Sequence, residues 1–328
     1  MSNLEVDSIE TVCGDFVSGD VPGSVVEILE PREVPLGGPR AFTVLRTLPQ
    51  RARSLVGAWC FVDSYGPVPA DHAGTMTVPP HPHTGLQTVT WLYAGEIEHR
   101  DSVGSRALIE PGQVNLMTAG AGIQHSEVST AAATELHGAQ LWIALPDRSR
   151  HVDPFFESFT PQPVTLGDAT LRVFIGTLAG ASSPVSAFTG LVGAQIDLPA
   201  GGRVEVPVDP TFEHALVVDR GTPRLQGVTV PTTRLGVVPA GAATLHIEAG
   251  DEPLRALLIG GEPLGEQIVM WWNFVGRSHD EIVAFREQWQ SEVIAGSTTS
   301  GRFGEVADYP GAPLPAPELP NIRLQPRG

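Results

Sequence analysis

Short runs of apolar and β-branched residues, separated by Gly, Pro and Asp, follow one another through most of the chain. Between about Val25 and Pro146 they read VVEILE, AFTVLRTL, AWCFVDSY, GLQTVTWLY, IEHRDSV, RALIE, QVNLM and LWIAL. Within Thr88–Tyr93, Val89 and Trp91 share one face of the predicted strand, and Thr88 and Thr90 share the other. Packing on both faces is typical of a strand in a barrel or a sandwich.

The same pattern begins again at about Val164 and gives LRVFIGTL, GLVGAQIDL, GRVEVPV, HALVVDRG, ATLHIEAG and LRALLIGG. It predicts an all-β protein made of two consecutive units, residues 25–160 and residues 161–265. Residues 1–24 contain five acidic residues and no basic one, and we expect them to form a flexible acidic arm.

A helix is predicted only in the last part of the chain, residues 266–328. Ser278 and Glu281 have the S-x-x-E spacing of a capping box. The apolar residues that follow share one helix face at spacings of three, four and four: Ile282, Phe285, Trp289 and Val293. Residues 310–326 contain six prolines and should run extended. We expect this whole segment to pack on the two β units.

Composition supports this architecture and excludes several functions. The chain has 328 residues, of which 36 are Gly and 30 are Pro, and this density favours short strands with tight turns. Its net charge is −17 and it has no lysine, which disfavours nucleic acids and anionic membranes as partners. It has no run of about 18 apolar residues and no signal-peptide pattern. Two cysteines, Cys13 and Cys60, are expected to be reduced thiols in a cytoplasmic protein.

Two short motifs carry the candidate chemistry. His81-Pro-His83 and His125-Ser-Glu127 each place two metal-ligand side chains two residues apart, so that both project from one face of a strand. If the two strands face the inside of one barrel, three imidazoles and one carboxylate converge. Such a set without a thiolate suits Fe(II), Mn(II), Ni(II), Cu(II) or Zn(II). The sequence therefore predicts a metal site.

Three segments resemble the pirin family of the cupin superfamily in order and spacing: HPHTGLQTVTWLYAGEIEHRDSVGS, PGQVNLMTAGAGIQHSE and LHGAQLWIALP. The resemblance continues in WWNFVGRSHDEIVAFREQW and GRFGEV, and covers roughly residues 30–305. It implies a bicupin, with a metal-binding barrel over residues 25–160, a metal-free barrel over residues 161–265 and a C-terminal helical segment. It also implies an iron centre, most simply Fe(II), held by His81, His83, His125 and Glu127.

The resemblance further implies a dioxygenase of the quercetin 2,3-dioxygenase type, which cleaves a flavonol-like or other enolisable phenolic ring and releases carbon monoxide. Glu127 would double as the base that takes the hydroxyl proton. The alternative is a non-catalytic, redox-sensitive regulator that binds other proteins through a metal-dependent surface. We expect no direct contact with nucleic acid or membrane.

The chain departs from the common pirin motifs at Leu86, which replaces a Phe, and at three positions where the motif is charged: Thr84 and Ala121 each replace an Arg, and Gln87 replaces a Glu. These changes would alter charge near the pocket mouth, and they leave open a pirin-like chain that has lost turnover. His99 and His137 are interpreted mainly as strand residues with structural hydrogen bonds. In the second barrel, neither His214 nor His246 belongs to an H-x-H pair, so a structural barrel is expected.

Overall fold

The computed structural model describes residues 15–18, 25–36, 42–68 and 76–328. All sheet pairings between named strands are antiparallel in this part of the chain, and the predicted all-β fold with a C-terminal helix is confirmed. The strands of the first half are β1 (Asp15–Ser18), β2 (Val25–Leu29), β3 (Arg32–Leu36), β4 (Phe42–Leu48), β5 (Trp59–Val68), β6 (Thr77–His83), β7 (Leu86–Ala94), β8 (Ile97–Asp101), β9 (Arg106–Ile109), β10 (Val114–Thr118), β11 (Ile123–Ser129), β12 (Leu136–Ala144) and β13 (Phe155–Phe159).

The second half has the same character and ends in a helix. Its strands are β14 (Val164–Leu166), β15 (Ala169–Leu178), β16 (Ala181–Ser182), β17 (Leu191–Leu198), β18 (Arg203–Pro207), β19 (Glu213–Arg220), β20 (Arg224–Leu225), β21 (Val228–Thr229), β22 (Leu235–Val238), β23 (Thr244–Glu248), β24 (Leu254–Gly261), β25 (Val269–Trp271) and β26 (Phe274–Gly276). Helix α1 spans His279–Trp289 and a π-helical turn, Gln290–Ile294, follows it. None of the described helices is long and apolar enough to cross a lipid bilayer.

Two sheets form the first barrel. One has the strand order β13-β10-β7-β12-β5-β4-β3 and the other the order β6-β11-β8-β9. Strand β7 shows how the sequence alternation is used. Val89 and Trp91 pack in the apolar cluster between the barrels, whereas Thr90, on the other face, bonds to groups inside the first barrel. The interior of this barrel is therefore partly polar.

The second barrel takes a strand from the beginning of the chain. Its large sheet has the order β1-β2-β22-β19-β24-β17-β15-β14, and its small sheet the order β18-β23-β20-β21. Strand β2 lies beside β22, with Glu27 opposite Val237, although the sequence analysis assigned residues from 25 onward to the first unit. Of the predicted arm, residues 15–18 pair with β2, and the rest of residues 1–24 lie outside the described ranges. Aliphatic side chains fill the second barrel's interior.

Large aromatic side chains join the two barrels. Trp91 stacks on Phe174 with 4.7 Å between ring centroids, and its indole N–H donates to Gln195 Oε1 at 2.8 Å. Trp59 donates to the Gly260 carbonyl at 3.0 Å from the same cluster. At about 25 cal/mol per Å² of apolar surface, burying each indole contributes up to roughly 5 kcal/mol. The interface therefore fixes one barrel against the other.

The helix begins as predicted, because the Ser278 hydroxyl accepts the Glu281 backbone N–H at 3.2 Å. The apolar stripe of α1 is buried at Ile282, Phe285 and Trp289. Beyond the helix, the chain returns to the first barrel. Arg302 donates to the Ala121 carbonyl, the Gln124 amide donates to the Gly304 carbonyl, and the Leu314 N–H donates to the Pro80 carbonyl. The C-terminal segment thus backs β6 and β11.

Candidate metal centre

Three histidines converge inside the first barrel. Strand β6 is an edge strand, which tolerates its prolines, and β11 pairs with it so that His125 lies opposite His81 and Ile123 opposite His83. Each of the three rings lies 4.4–5.0 Å from the other two, measured between centroids. One ring nitrogen from each lies within 4.8 Å of the others. The predicted convergence of His81, His83 and His125 is therefore what the structure shows.

The three imidazoles are poised as neutral ligands. His81 donates its Nδ1–H to the Pro79 carbonyl at 2.8 Å, so its Nε2 keeps a lone pair, and that buried atom has no hydrogen-bond partner. His83 Nε2 and His125 Nε2 are 3.1 Å apart. Burial lowers the pKa of His81 to about 3, and burial also holds the pKa of His83 and of His125 well below the usual value. Neutral imidazole is the form that binds a metal ion.

Glu127 lies on the same face of β11 and belongs to a second, overlapping group. Its carboxylate lies within 4.8 Å of ring nitrogens of both His99 and His125. The Thr90 hydroxyl lies 3.3 Å from Glu127 Oε1 and 2.9 Å from Gln140 Oε1. His125 is thus common to a three-imidazole group and to a group that contains the carboxylate. Among the described residues, both groups that have ligand-type side chains close enough to hold an ion lie in this barrel.

The residues present fit a divalent metal ion. All four predicted ligands are at most 1% exposed, and the donor set is nitrogen with a carboxylate oxygen and no thiolate. An unpartnered, buried His81 Nε2 is costly unless a ligand satisfies it. Nitrogen and carboxylate ligands with open positions suit non-haem iron and other first-row ions. The geometry supports a metal site without distinguishing between these ions.

Aromatic side chains brace the site. The Trp142 ring meets His83 edge-on at 5.2 Å and stacks on Phe61 at 4.0 Å. Phe156 stacks on His99 at 4.6 Å. These contacts restrict the rings to one orientation, as a preorganised site requires.

Thr84, Gln87 and Ala121, which replace charged residues of the family motif, lie in three different surroundings. Thr84 is buried beside β26, where its carbonyl accepts the Val275 N–H. Gln87 points away from Thr90's face of β7 and bonds to Thr118 Oγ1 and the Ser186 carbonyl. The expectation of a charge change from Gln87 at the pocket mouth is therefore wrong.

At the third position the structure supplies a positive charge from elsewhere. Arg302 reaches the Ala121 carbonyl from the C-terminal segment, and its guanidinium lies 5.1 Å from the centre of the Phe285 ring. A cation therefore stands beside Ala121 although the sequence has lost the arginine of the motif.

His99 lies closer to the predicted ligands than a structural strand residue needs to. It is directly behind His125, with 3.3 Å between their Nδ1 atoms. A sequence signal existed, because His99-Arg-Asp101 has the same two-residue spacing as the other two pairs. His137, by contrast, lies between the barrels and bonds to Asp219 at 2.6 Å.

Two surface cavities lie elsewhere. One of about 720 Å³ is lined by Arg51, Arg53 and Glu213 among others, and one of about 310 Å³ is lined by Asp197 and Arg255 among others. None of the four predicted ligands lines either cavity.

Family models match both halves of the chain. The model of the pirin family matches residues 41–143, and that of the pirin C-terminal cupin domain matches residues 193–294. A Pseudomonas aeruginosa protein named "Putative quercetin 2,3-dioxygenase" is 39% identical over 290 residues, which are 88% of this chain and 89% of that protein.

Solved structures show the same architecture. The crystal structure of quercetin 2,3-dioxygenase from Acinetobacter baumannii superposes with a TM-score of 0.83 at 40% identity, covering 91% of this chain and 97% of that one. A bacterial pirin from Escherichia coli in complex with nickel(II) superposes with a TM-score of 0.57 at 18% identity, covering 73% and 99%. The second of these likenesses bears on the fold alone.

Proposed function

The chain belongs to the pirin family, and we propose from that premise that it is an iron-dependent dioxygenase of the quercetin 2,3-dioxygenase type. The observation that carries the proposal is the convergence of three buried, neutral imidazoles beside a carboxylate inside the first barrel. The ion would be Fe(II), and the ligands would be His81, His83, His125 and Glu127.

Each ligand residue has a defined task. His81 would offer the Nε2 lone pair described above, and His83 and His125 would offer the Nε2 atoms that face each other at 3.1 Å. A divalent ion with open coordination positions supplies the Lewis acidity and the access to dioxygen that ring cleavage needs. The buried setting keeps water from competing for the reacting groups.

Glu127 would move the proton. A carboxylate oxygen at the site takes the proton of the substrate hydroxyl, and this leaves the enolate that reacts with dioxygen. The Thr90 hydroxyl, 3.3 Å from Glu127 Oε1, is within hydrogen-bond reach of that carboxylate. The substrate class we propose is a flavonol or another enolisable phenol, in line with the names of the similar proteins from Pseudomonas aeruginosa and Acinetobacter baumannii.

Oxygen consumption tests this proposal. Protein reconstituted anaerobically with Fe(II) is mixed with quercetin and air-saturated buffer, and oxygen uptake and carbon monoxide release are followed. We expect uptake in the wild type and none above background in His81→Ala. His246→Ala is the matched control, because it removes a histidine of the second barrel whose side chain is 39% exposed. Wild-type protein that holds iron and consumes no oxygen with any enolisable phenol would contradict the enzymatic proposal.

Glu127→Gln distinguishes the proposed role of Glu127 as a base from its proposed role as a metal ligand. The variant keeps the size of the side chain and removes its basicity, so we expect the turnover number to fall by about 100-fold or more. Metal content is measured on the same samples, which distinguishes loss of the base from loss of the ion.

One observation favours the alternative function. The four predicted ligands are at most 1% exposed, so they lie away from solvent. A buried metal ion is hard for a bulky substrate to reach. A change in its oxidation state would instead alter the protein around it, as in a redox-sensitive regulator that binds other proteins. Iron-loaded protein that consumes no oxygen, yet captures a protein partner only in one oxidation state, would favour this function.

A further inference from the structure

A buried pair, His99 and Asp101, stands behind the metal centre. Both lie on one face of β8, which pairs with β11 so that His125 is opposite Asp101 and Glu127 is opposite His99. Both side chains are about 2% exposed. His99 Nε2 lies 3.2 Å from Asp101 Oδ2, and His99 Nδ1 lies 3.3 Å from His125 Nδ1.

The hydrogen-bond donors and acceptors of this pair can be assigned by starting from Asp101. Asp101 Oδ1 accepts the backbone N–H groups of Val103 at 3.0 Å and Ser105 at 2.8 Å, which fixes the carboxylate in the turn after β8. Its Oδ2 can only accept, so His99 Nε2 carries a hydrogen. With this ring hydrogen at Nε2, Nδ1 of His99 is the acceptor nitrogen, and His125 Nδ1 carries the hydrogen that lies between the two rings. Nε2 of His125 is left with its lone pair.

His99 faces Nδ1 of His125, so it does not share an ion that is bound to Nε2 of His125. The two nitrogens of an imidazole point to opposite sides of the ring, and a metal ion lies about 2.1 Å from the nitrogen that binds it. His125 Nε2 lies 3.1 Å from His83 Nε2. An ion bound to these two atoms is therefore on the opposite side of the His125 ring from His99 Nδ1. His99 is placed to orient a ligand rather than to act as one.

We propose that Asp101 and His99 form a relay that fixes the tautomer and orientation of His125, so that Nε2 of His125 is held ready for the metal ion. Phe156, stacked on the His99 ring, keeps the relay in line. Partners of this kind behind a metal-bound histidine typically contribute 10–100-fold to metal affinity. The inference rests on the metal-binding part of the proposed function and does not depend on the reaction.

Asp101→Asn tests the relay with a nearly isosteric change. The amide oxygen keeps the two backbone hydrogen bonds from Val103 and Ser105, so the amide NH₂ faces His99 Nε2 and donates to it. His99 must then carry its hydrogen at Nδ1, which reverses the His125 tautomer and blocks Nε2 of His125. We expect Ni²⁺, titrated into metal-free protein by calorimetry, to bind about 10–100-fold more weakly than to the wild type.

The chain offers a matched control at the barrel interface. Asp219 pairs with His137 at 2.6 Å, as Asp101 pairs with His99, but neither Asp219 nor His137 belongs to the two groups that could hold an ion. Asp219→Asn should leave Ni²⁺ affinity unchanged. In a His99→Leu background, Asp101→Asn should have no further effect, because Asp101 acts through His99.

Nitrogen-15 NMR of the metal-free protein reads the tautomer directly. We expect the His125 hydrogen at Nδ1 in the wild type and at Nε2 in Asp101→Asn. The relay is refuted if the two proteins show the same His125 tautomer and equal Ni²⁺ affinity, or if the wild type binds a second Ni²⁺ that His99→Leu abolishes. A wild type that binds no Ni²⁺ but shows the expected tautomer change would overturn the metal site and the metal-binding role of the relay, while showing that Asp101 and His99 still set the His125 tautomer.

Discussion

Restoring the family's glutamate at position 87 should destabilise this protein rather than improve its metal site. The Gln87 side chain is fully buried, and its Nε2 donates to Thr118 Oγ1 at 2.9 Å and to the Ser186 carbonyl at 3.1 Å. The carbonyl only accepts, which fixes the amide nitrogen at that position. Gln87→Glu replaces this donor with an oxygen, so the Ser186 carbonyl loses its donor and the Thr118 hydroxyl must turn to donate to the new carboxylate.

The cost has two separable parts. Losing the two hydrogen bonds costs about 1–3 kcal/mol of the free energy of unfolding, and Gln87→Met isolates that part. In Gln87→Glu, burial beside a carbonyl raises the pKa of the new carboxyl group above its unfolded value of about 4.3. A raised carboxyl pKa makes the folded state hold the proton more tightly. This second part of the loss in the free energy of unfolding is therefore absent below about pH 4. It grows by about 1.4 kcal/mol per pH unit until the pH reaches the folded-state pKa of the new carboxyl group.

Urea unfolding at pH 5 and pH 7.5 measures both parts, with each variant compared with the wild type at the same pH. We expect Gln87→Met to differ from the wild type equally at both values. Gln87→Glu should lose more at pH 7.5 than at pH 5, with unchanged affinity for Ni²⁺. Tighter metal binding by Gln87→Glu, or stability equal to the wild type at pH 7.5, would refute the placement of this side chain.

Two further predictions concern stability. Burial lowers the pKa of His214 to about 4 from about 6.5, so the stability that neutral His214 allows is complete above pH 6.5 and is lost as the pH falls towards 4. At pH 5.5 the loss in the free energy of unfolding is about 1.4 kcal/mol. Urea unfolding of His214→Leu should therefore show a fall in stability with acid that is smaller by that amount. An unchanged pH dependence would contradict the lowered pKa of His214. Trp91→Phe keeps the stacking on Phe174 but loses the bond to Gln195, and should lower the free energy of unfolding by about 1–2 kcal/mol. A loss below 0.5 kcal/mol in the same assay would show that this bond does not stabilise the interface.

Local patterns in the sequence predicted the elements of the fold well. The alternation in β7 and the Ser278 cap of α1 depend on residues within a few positions of one another, and both are confirmed. The pairing of β2 with β22 joins segments about 200 residues apart. Nothing local encodes it, since either barrel could have accepted a strand with the same apolar pattern.

The candidate site shows the same limit. His81, His83, His125 and Glu127 were visible because a two-residue spacing places side chains on one strand face. The orientation of Gln87 was not visible, because the turn at Gly85, with φ of +68°, separates β6 from β7 and resets the alternation.

The role of His99 was hidden for a similar reason. It depends on the register between β8 and β11, which places Asp101 opposite His125. Register between strands is set by the packing of the whole sheet, so a pair such as His99-Arg-Asp101 becomes informative only when its neighbours are known.

The metal content of the purified protein tests the central claim most directly. Elemental analysis is made on the wild type and on the His81→Ala/His125→Ala double variant, with His246→Ala as the control. We predict close to one metal ion per chain in the wild type and in the control, and none in the double variant. Wild-type protein that contains no metal and takes up no Fe(II) under anaerobic conditions, or a double variant that retains its ion, would contradict the account.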